Sequence, residues 1–231
     1  MNLSVILPTY NESGNIIELI RAIMENIPDK YEYEIIVVDD NSPDGTFKLV
    51  EESFTDNPRI KSILRMQDRG FAKSIRTGIE NSKGERILVM DTDFTHDPGE
   101  IPKLLHVSEV YDLVSGSRFC PGGNMQDTKH YLASLFYNWF IRIIIHTQVQ
   151  DNLGGYFIAW RKRINLLPFD KIFFGYGEYF FRLLHYAQKN KLSIVEIPTC
   201  YNVRKVGSSK SNFVKMLFTY TVAAIKLKIN L

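Results

Sequence analysis

Short apolar runs recur along the first part of the chain, at residues 3 to 8, 33 to 39, 60 to 65 and 86 to 90, each rich in Val, Ile and Leu. Continuous apolar runs of this length predict strands buried on both faces. Between them the period changes. Ile16, Leu19, Ile20 and Ile23 recur at helical spacing behind Asn11 and Ser13, and residues 70 to 82 hold a second helical segment. Strand and helix in alternation predict an α/β fold, with a mostly parallel central sheet and helices on both faces.

In such sheets ligands collect outside the carboxyl ends of the strands, and the unusual residues fall there. The first run ends in Pro8-Thr9-Tyr10-Asn11-Glu12, the second in Asp39-Asp40-Asn41-Ser42-Pro43-Asp44-Gly45-Thr46, and the fourth in Asp91-Thr92-Asp93. Asp44-Gly45 reads as a turn before a helix. Beyond about residue 118 the alternation fades into Cys120-Pro121-Gly122-Gly123, an aromatic helix over 129 to 148, and Gly154-Gly155-Tyr156-Phe157. No linker or repeat interrupts the chain, so a single domain over 1–231 is expected. Residues 1–118 form its ligand-binding half, 119–211 a second half, and 212–231 a C-terminal amphipathic helix.

A net charge of +2 lacks the concentrated basic footprint of a nucleic-acid binder, so none is expected as a partner. Its distribution is uneven. No Asp or Glu follows Glu196, whereas Arg204, Lys205, Lys210, Lys215, Lys226 and Lys228 do, which suits an anionic partner. Cys120 and Cys200 are far apart and have neither disulfide-scaffold nor zinc spacing. With no basic-then-apolar leader at the N-terminus, a cytoplasmic location is expected.

Asp91 and Asp93 stand two apart at a strand end. Extended geometry would point both carboxylates to one face, where they could share a cation, and hard oxygen donors suit Mg or Mn. Asp-X-Asp alone is common in solvated turns, so context decides. Neither a Walker loop nor Gly-X-Gly-X-X-Gly accompanies it.

The order of Pro8-Thr9-Tyr10-Asn11-Glu12, Val37 to Thr46, Met90-Asp91-Thr92-Asp93, Gly116-Ser117-Arg118-Phe119, Gly154-Gly155-Tyr156-Phe157 and Arg204 to Lys210 resembles the family-2 glycosyltransferases of GT-A fold. Within them it is similar to dolichyl-phosphate mannose synthases and other polyprenyl-phosphate sugar transferases. The resemblance implies a Rossmann-like nucleotide-diphospho-sugar transferase fold, with 1–118 as the nucleotide-sugar half and 119–211 as the acceptor side. It implies that Pro8, Tyr10, Glu12 and Asp40 hold the donor nucleoside, and that Asp91 and Asp93 bind the metal. Arg118, Arg204 and Lys210 would then meet phosphates. The expected reaction is an inverting transfer from a nucleotide-sugar to a lipid-linked acceptor, a dolichyl or undecaprenyl phosphate.

The pattern is broken in two places. Thr95 stands at the third metal-proximal position, where the synthases commonly have Gln. Lys129 and His130 stand where an acceptor-phosphate arginine is expected, and Lys129 is carried forward as a substrate contact. Glu178 occupies the region of a catalytic base in hydroxyl-acceptor relatives. A phosphate acceptor needs no base, so two acceptor classes stay open: polyprenyl phosphate, or a saccharide hydroxyl with Glu178 as base. A non-catalytic nucleotide-binding or membrane-associated assembly module is the alternative of another class; the intact Asp-X-Asp argues against it.

Two segments are apolar but interrupted by charge. Leu132, Leu135, Phe136, Trp139, Phe140, Ile143 and Ile144 line one helical face. Phe213, Met216, Leu217, Tyr220, Ala224 and Leu227 repeat the pattern beside Lys215, Lys226 and Lys228. Neither should span a bilayer. Peripheral contact at the cytoplasmic face of a membrane is expected, more so for the C-terminal helix, the alternative being that both faces pack into the protein's own core.

Overall fold

The computed structural model describes residues 1 to 205 and 213 to 229, with side chains for all of these except 128 to 130 and 213 to 215. In chain order the strands are β1 (Leu3–Thr9), β2 (Tyr33–Asp39), β3 (Ile60–Leu64), β4 (Arg86–Val89), β5 (Leu113–Ser117), β6 (Asn124–Met125), β7 (Phe157–Trp160), β8 (Ile194–Pro198) and β9 (Cys200–Tyr201). The helices are α1 (Ile16–Asn26), α2 (Thr46–Ser53), α3 (Phe71–Glu80), α4 (Ile101–Val107), α5 (Thr128–Ile145), α6 (Arg161–Ile164), α7 (Phe169–Ile172), α8 (Tyr179–Lys189) and α9 (Phe213–Ile229).

Seven strands form one sheet in the order β3-β2-β1-β4-β7-β5-β8. All neighbours are parallel except that β7 runs antiparallel to both β4 and β5. The alternating Cβ directions of β1 divide its side chains between two cores. Val5 and Leu7 face α1 and α4, whereas Ile6 faces α3 and, further along, α8. The approach of α3 to β1 requires glycine at Gly78, where a Cβ would stand 2.3 Å from Ile6 Cγ2. β3 departs from the expected burial on both faces: as the edge strand it is only partly covered.

A third apolar cluster joins Ile141 and Ile145 of α5, Phe181 of α8, and Tyr220 and Ala224 of α9. Here the two amphipathic helices part company. The α5 face picked out by sequence points outward, with Leu132 69%, Phe136 71% and Trp139 54% exposed. On α9 the expected interfacial face is internal instead: Tyr220 and Ala224 are buried, and Met216 and Leu227 pack against the same cluster. α9 covers the inner side of α5, and that burial outweighs any preference of its face for a surface. No helix among the described residues is long and apolar enough to cross a membrane.

Candidate active site

Strand order reverses between β1 and β4: β2 and β3 extend one way from β1, and β4, β7, β5 and β8 the other. The loops leaving β1, β2 and β4 therefore diverge around a crevice at their carboxyl ends. Asn11 and Asn41 turn these loops out of the sheet with φ of 57° and 56°, a left-handed conformation that Asn tolerates better than most residues. The resulting cleft has a volume of about 950 Å³ and takes in Pro8, Tyr10, Glu12, Asp40, Asp91, Asp93, Arg118 and Arg204. Residues scattered over nearly 200 positions thus share one cavity.

At its β2 end, Asp40 is buried and both its oxygens are engaged. Oδ1 accepts from Arg65 Nη1 at 2.6 Å and Ser74 Oγ at 2.8 Å, and Oδ2 accepts from the Gly70 N–H at 2.6 Å. Asp39 is structural, receiving Thr9 Oγ1 at 3.0 Å and the Ser42 N–H at 2.8 Å. Asp44 accepts from the Thr46 N–H and Oγ1 at the start of α2, so it caps the turn before that helix.

β4 stops at Val89, so Asp91 and Asp93 sit on a bend rather than in extended strand. Packing, not strand pleat, brings them together. The Asp91 N–H donates to His96 Nδ1 at 2.9 Å, and His96 Nε2 lies 3.2 Å from the Gly154 carbonyl, which puts the imidazole proton on Nε2. His96 stacks on Tyr156 with centroids 4.6 Å apart. Burial drives its pKa down to about 4, so the ring stays a neutral strut under the acidic loop.

Asp93 is held from two sides. Its Oδ1 accepts from Thr95 Oγ1 at 2.6 Å and the Thr95 N–H at 3.0 Å, and its Oδ2 pairs with Arg204 Nη2 at 2.6 Å. Thr95 therefore supports Asp93 rather than standing as a third ligand. Phe94, between them, is held at φ 65°, a strained setting for a bulky residue. The Lys205 N–H donates to the Asp93 carbonyl at 3.2 Å. Asp91 has 30% of its side chain open to the cleft. Burial of the remainder, and then the negative charge of Asp93, push its carboxyl up to about 8.

This donor set fits a divalent cation. Two hard carboxylates adjoin, and one of them is hard to ionise without added positive charge. Among the described residues no third acidic, His or Cys side chain completes a cage. A cation here would take its other ligands from diphosphate oxygens and water, as Mg commonly does.

The remaining expected residues divide. Arg204 bridges the cleft, from Asp93 to Glu12 Oε1 at 3.3 Å, and Glu12 also receives Asn15 Nδ2 at 2.9 Å. Arg118 lines the cleft, but its fork is spent on Asp151: Nε to Oδ2 at 2.8 Å and Nη2 to Oδ1 at 2.7 Å. The buried carboxylate raises the Arg118 pKa against the effect of burial. A bidentate phosphate grip by Arg118 would have to break this pair. Glu178 is engaged elsewhere as well. It is 4% exposed, does not line the cleft, pairs with Arg182 Nη2 at 3.2 Å and accepts from the Tyr176 N–H at 2.9 Å. A general base must reach the attacking hydroxyl, and here both carboxylate oxygens are engaged, by Arg182 and by the Tyr176 N–H. Lys129 is the second residue of α5, but its side chain, like that of His130, lies outside the described residues, as does Lys210 altogether.

Sequence reasoning passed over Arg65, Arg69, His96, Asp151 and Tyr179. Only His96, five residues beyond Asp91, carried a local signal.

The first and second halves of the cleft differ in character. Past Asp91 the lining continues through Leu153, Tyr137 and Ser134 to Met216, Leu217 and Tyr220, so the acidic end opens toward the gap between α5 and α9. Residues 4–194 match the family described as Glycosyl transferase family 2. The chain belongs to glycosyltransferase family 2. It is 31% identical to a dolichol-phosphate mannosyltransferase of Pyrococcus furiosus over 95% of its length, and spans 62% of that relative. An undecaprenyl-phosphate mannosyltransferase of Micrococcus luteus is 31% identical over 91% of this chain and 87% of its own length. A polyprenol monophosphomannose synthase of Mycolicibacterium smegmatis is 32% identical over 89% and 79% respectively. Among solved structures, glucosyl-3-phosphoglycerate synthase of Mycobacterium tuberculosis with Mn2+, UDP and glucosyl-3-phosphoglycerate superposes with a TM-score of 0.73 at 18% identity, covering 99% of this family-2 chain and 79% of the synthase. That likeness establishes the GT-A glycosyltransferase fold.

Proposed function

We propose that this family-2 glycosyltransferase moves a hexose from a nucleotide-sugar to a polyprenyl phosphate, with inversion and with Mg or Mn at Asp91 and Asp93. The continuity of the cleft carries the reading: one end holds the paired carboxylates and Arg204, the other is walled by apolar and aromatic residues of α5 and α9. The relatives named as polyprenyl-phosphate mannosyltransferases favour the same acceptor and suggest mannose.

In this reading Pro8, Tyr10 and Asp40 take the nucleoside. A phosphate oxygen of the acceptor attacks the anomeric carbon as the bond to the nucleoside diphosphate breaks on the opposite face. The acceptor is already anionic, so no residue need remove a proton. A bound divalent cation would neutralise charge growing on the departing diphosphate. Arg204 adds positive charge beside it, and Arg118, locked to Asp151, contributes its field from beneath.

The exposed α5 face, Leu132, Phe136, Trp139 and Ile143, supports peripheral contact with the membrane holding the acceptor. A labelled nucleotide-hexose panel with undecaprenyl or dolichyl phosphate and Mn tests the assignment, because the product passes into organic solvent. Transfer only to saccharide hydroxyls, with no extractable glycolipid, would overturn it.

A further inference from the structure

Tyr179, the first residue of α8, is 1% exposed and lines the cleft together with Asp91 and Gly155. Its hydroxyl oxygen has no hydrogen-bond partner among the described residues. A buried hydroxyl without a partner is destabilising, so such groups stand out in folded proteins. The ring cannot swing away to find one: Phe71 meets its edge at 6.0 Å and Phe173 stacks on it at 5.9 Å. Gly155 forms the opposite wall. It has φ +76°, which excludes most side chains, and a Cβ there would stand 3.4 Å from the Tyr179 hydroxyl.

Strand order says what would come to that hydroxyl. Asp40 follows β2 and Pro8 ends β1, Asp91 and Asp93 follow β4, and Gly155 leads into β7, the next strand across the sheet. A donor laid with its nucleoside over β1 and β2 and its diphosphate over β4 puts its hexose over β7. We propose that the Tyr179 hydroxyl recognises a hydroxyl of the donor hexose and so selects the sugar, an assignment that rests on the glycosyl-transfer reading above. A sugar hydroxyl can both donate to and accept from a phenol. A site with a buried polar group for one such hydroxyl discriminates strongly against a sugar that lacks it.

The test is Tyr179→Phe in the full chain, with GDP, UDP, ADP and dTDP screened in the presence of Mn and the tightest binder compared with its nucleotide-hexoses by calorimetry. Three results are expected. Thermal midpoint stays level or rises, because the removed hydroxyl has no partner among the described residues. Affinity for the nucleoside diphosphate stays within about twofold. The extra affinity contributed by the hexose falls about tenfold, and one monodeoxy donor costs wild type the same amount while costing Tyr179→Phe nothing more. An unchanged hexose contribution, or a lowered midpoint with every affinity falling together, would mean that Tyr179 only supports the fold. If wild type binds none of the four diphosphates, the glycosyl-transfer reading fails and this assignment with it.

Discussion

Arg204 Nη2 lies 2.6 Å from Asp93 Oδ2 while its Nη1 reaches Glu12 at 3.3 Å, so one guanidinium ties the C-terminal segment to the acidic loop and to the end of β1. Asp93→Ala should abolish metal-dependent turnover, by about a hundredfold or more, while circular dichroism stays that of wild type. Activity near wild type would remove the carboxylate pair from the mechanism.

Replacing Arg204 separates metal from diphosphate. Without its guanidinium the two carboxylates lose a counter-charge, so Arg204→Ala should bind Mn alone about tenfold more tightly. The same variant should bind Mn with a nucleoside diphosphate more weakly. Calorimetry in both modes checks the opposite signs, and weaker binding of Mn alone would contradict the bridging role.

Glu178→Gln should leave transfer to a phosphate acceptor close to wild type, since the carboxylate serves Arg182 and the Tyr176 N–H rather than the cleft. It should instead lower stability, by about 1–3 kcal/mol, seen as a lower urea midpoint. A loss of about a hundredfold in turnover at unchanged stability would identify a general base after all.

Glu34 carries a pH dependence. Burial alone would raise its carboxyl, but Lys61, Ser4 Oγ at 2.7 Å and the Lys83 N–H at 2.6 Å outweigh it and hold the pKa below the ordinary value. The folded state thus binds this proton less readily than the unfolded chain. Its stabilisation is complete above the ordinary Glu range, near about 4.3, and is lost as pH falls through the lowered value. Thermal midpoints between pH 7 and pH 3 should fall more steeply for wild type than for Glu34→Gln.

The outward face of α5 gives a prediction about membranes. Phe136→Ser and Trp139→Ser should each weaken flotation with anionic liposomes at low salt about tenfold or more, the loss from burying one large apolar side chain fewer. Deleting residues 213 to 229 should instead destabilise the fold, because Tyr220 and Ala224 cover Ile141, Ile145 and Phe181. Unchanged flotation of the two serine variants would exclude this face as the contact.

Local pattern was enough to place β1, β2, β3 and β4 within a residue or two, to put Asp40, Asp91 and Asp93 at strand ends, and to resemble the correct family. A strand run and a polar strand-end loop are written in consecutive residues, and parallel α/β sheets put their ligand sites at one edge. Partner choice is not local. Arg118 finds Asp151 across 33 residues, so its fork reads as free in sequence and is occupied in the fold. Glu178 and Arg182 stand four apart, a spacing that permits their ion pair, but burial of the carboxylate beneath the cleft wall came only from packing α8 against the sheet. The two amphipathic helices carry similar apolar faces, and a periodicity cannot say whether such a face meets lipid or protein. That was decided when α9 closed over α5 and α8, leaving the α5 face outside. The Tyr179 hydroxyl, without a partner among the described residues, was invisible for the same reason: a missing hydrogen-bond partner is a property of every neighbour at once, and the neighbours come from α3, the turn after α7, α8 and the loop before β7.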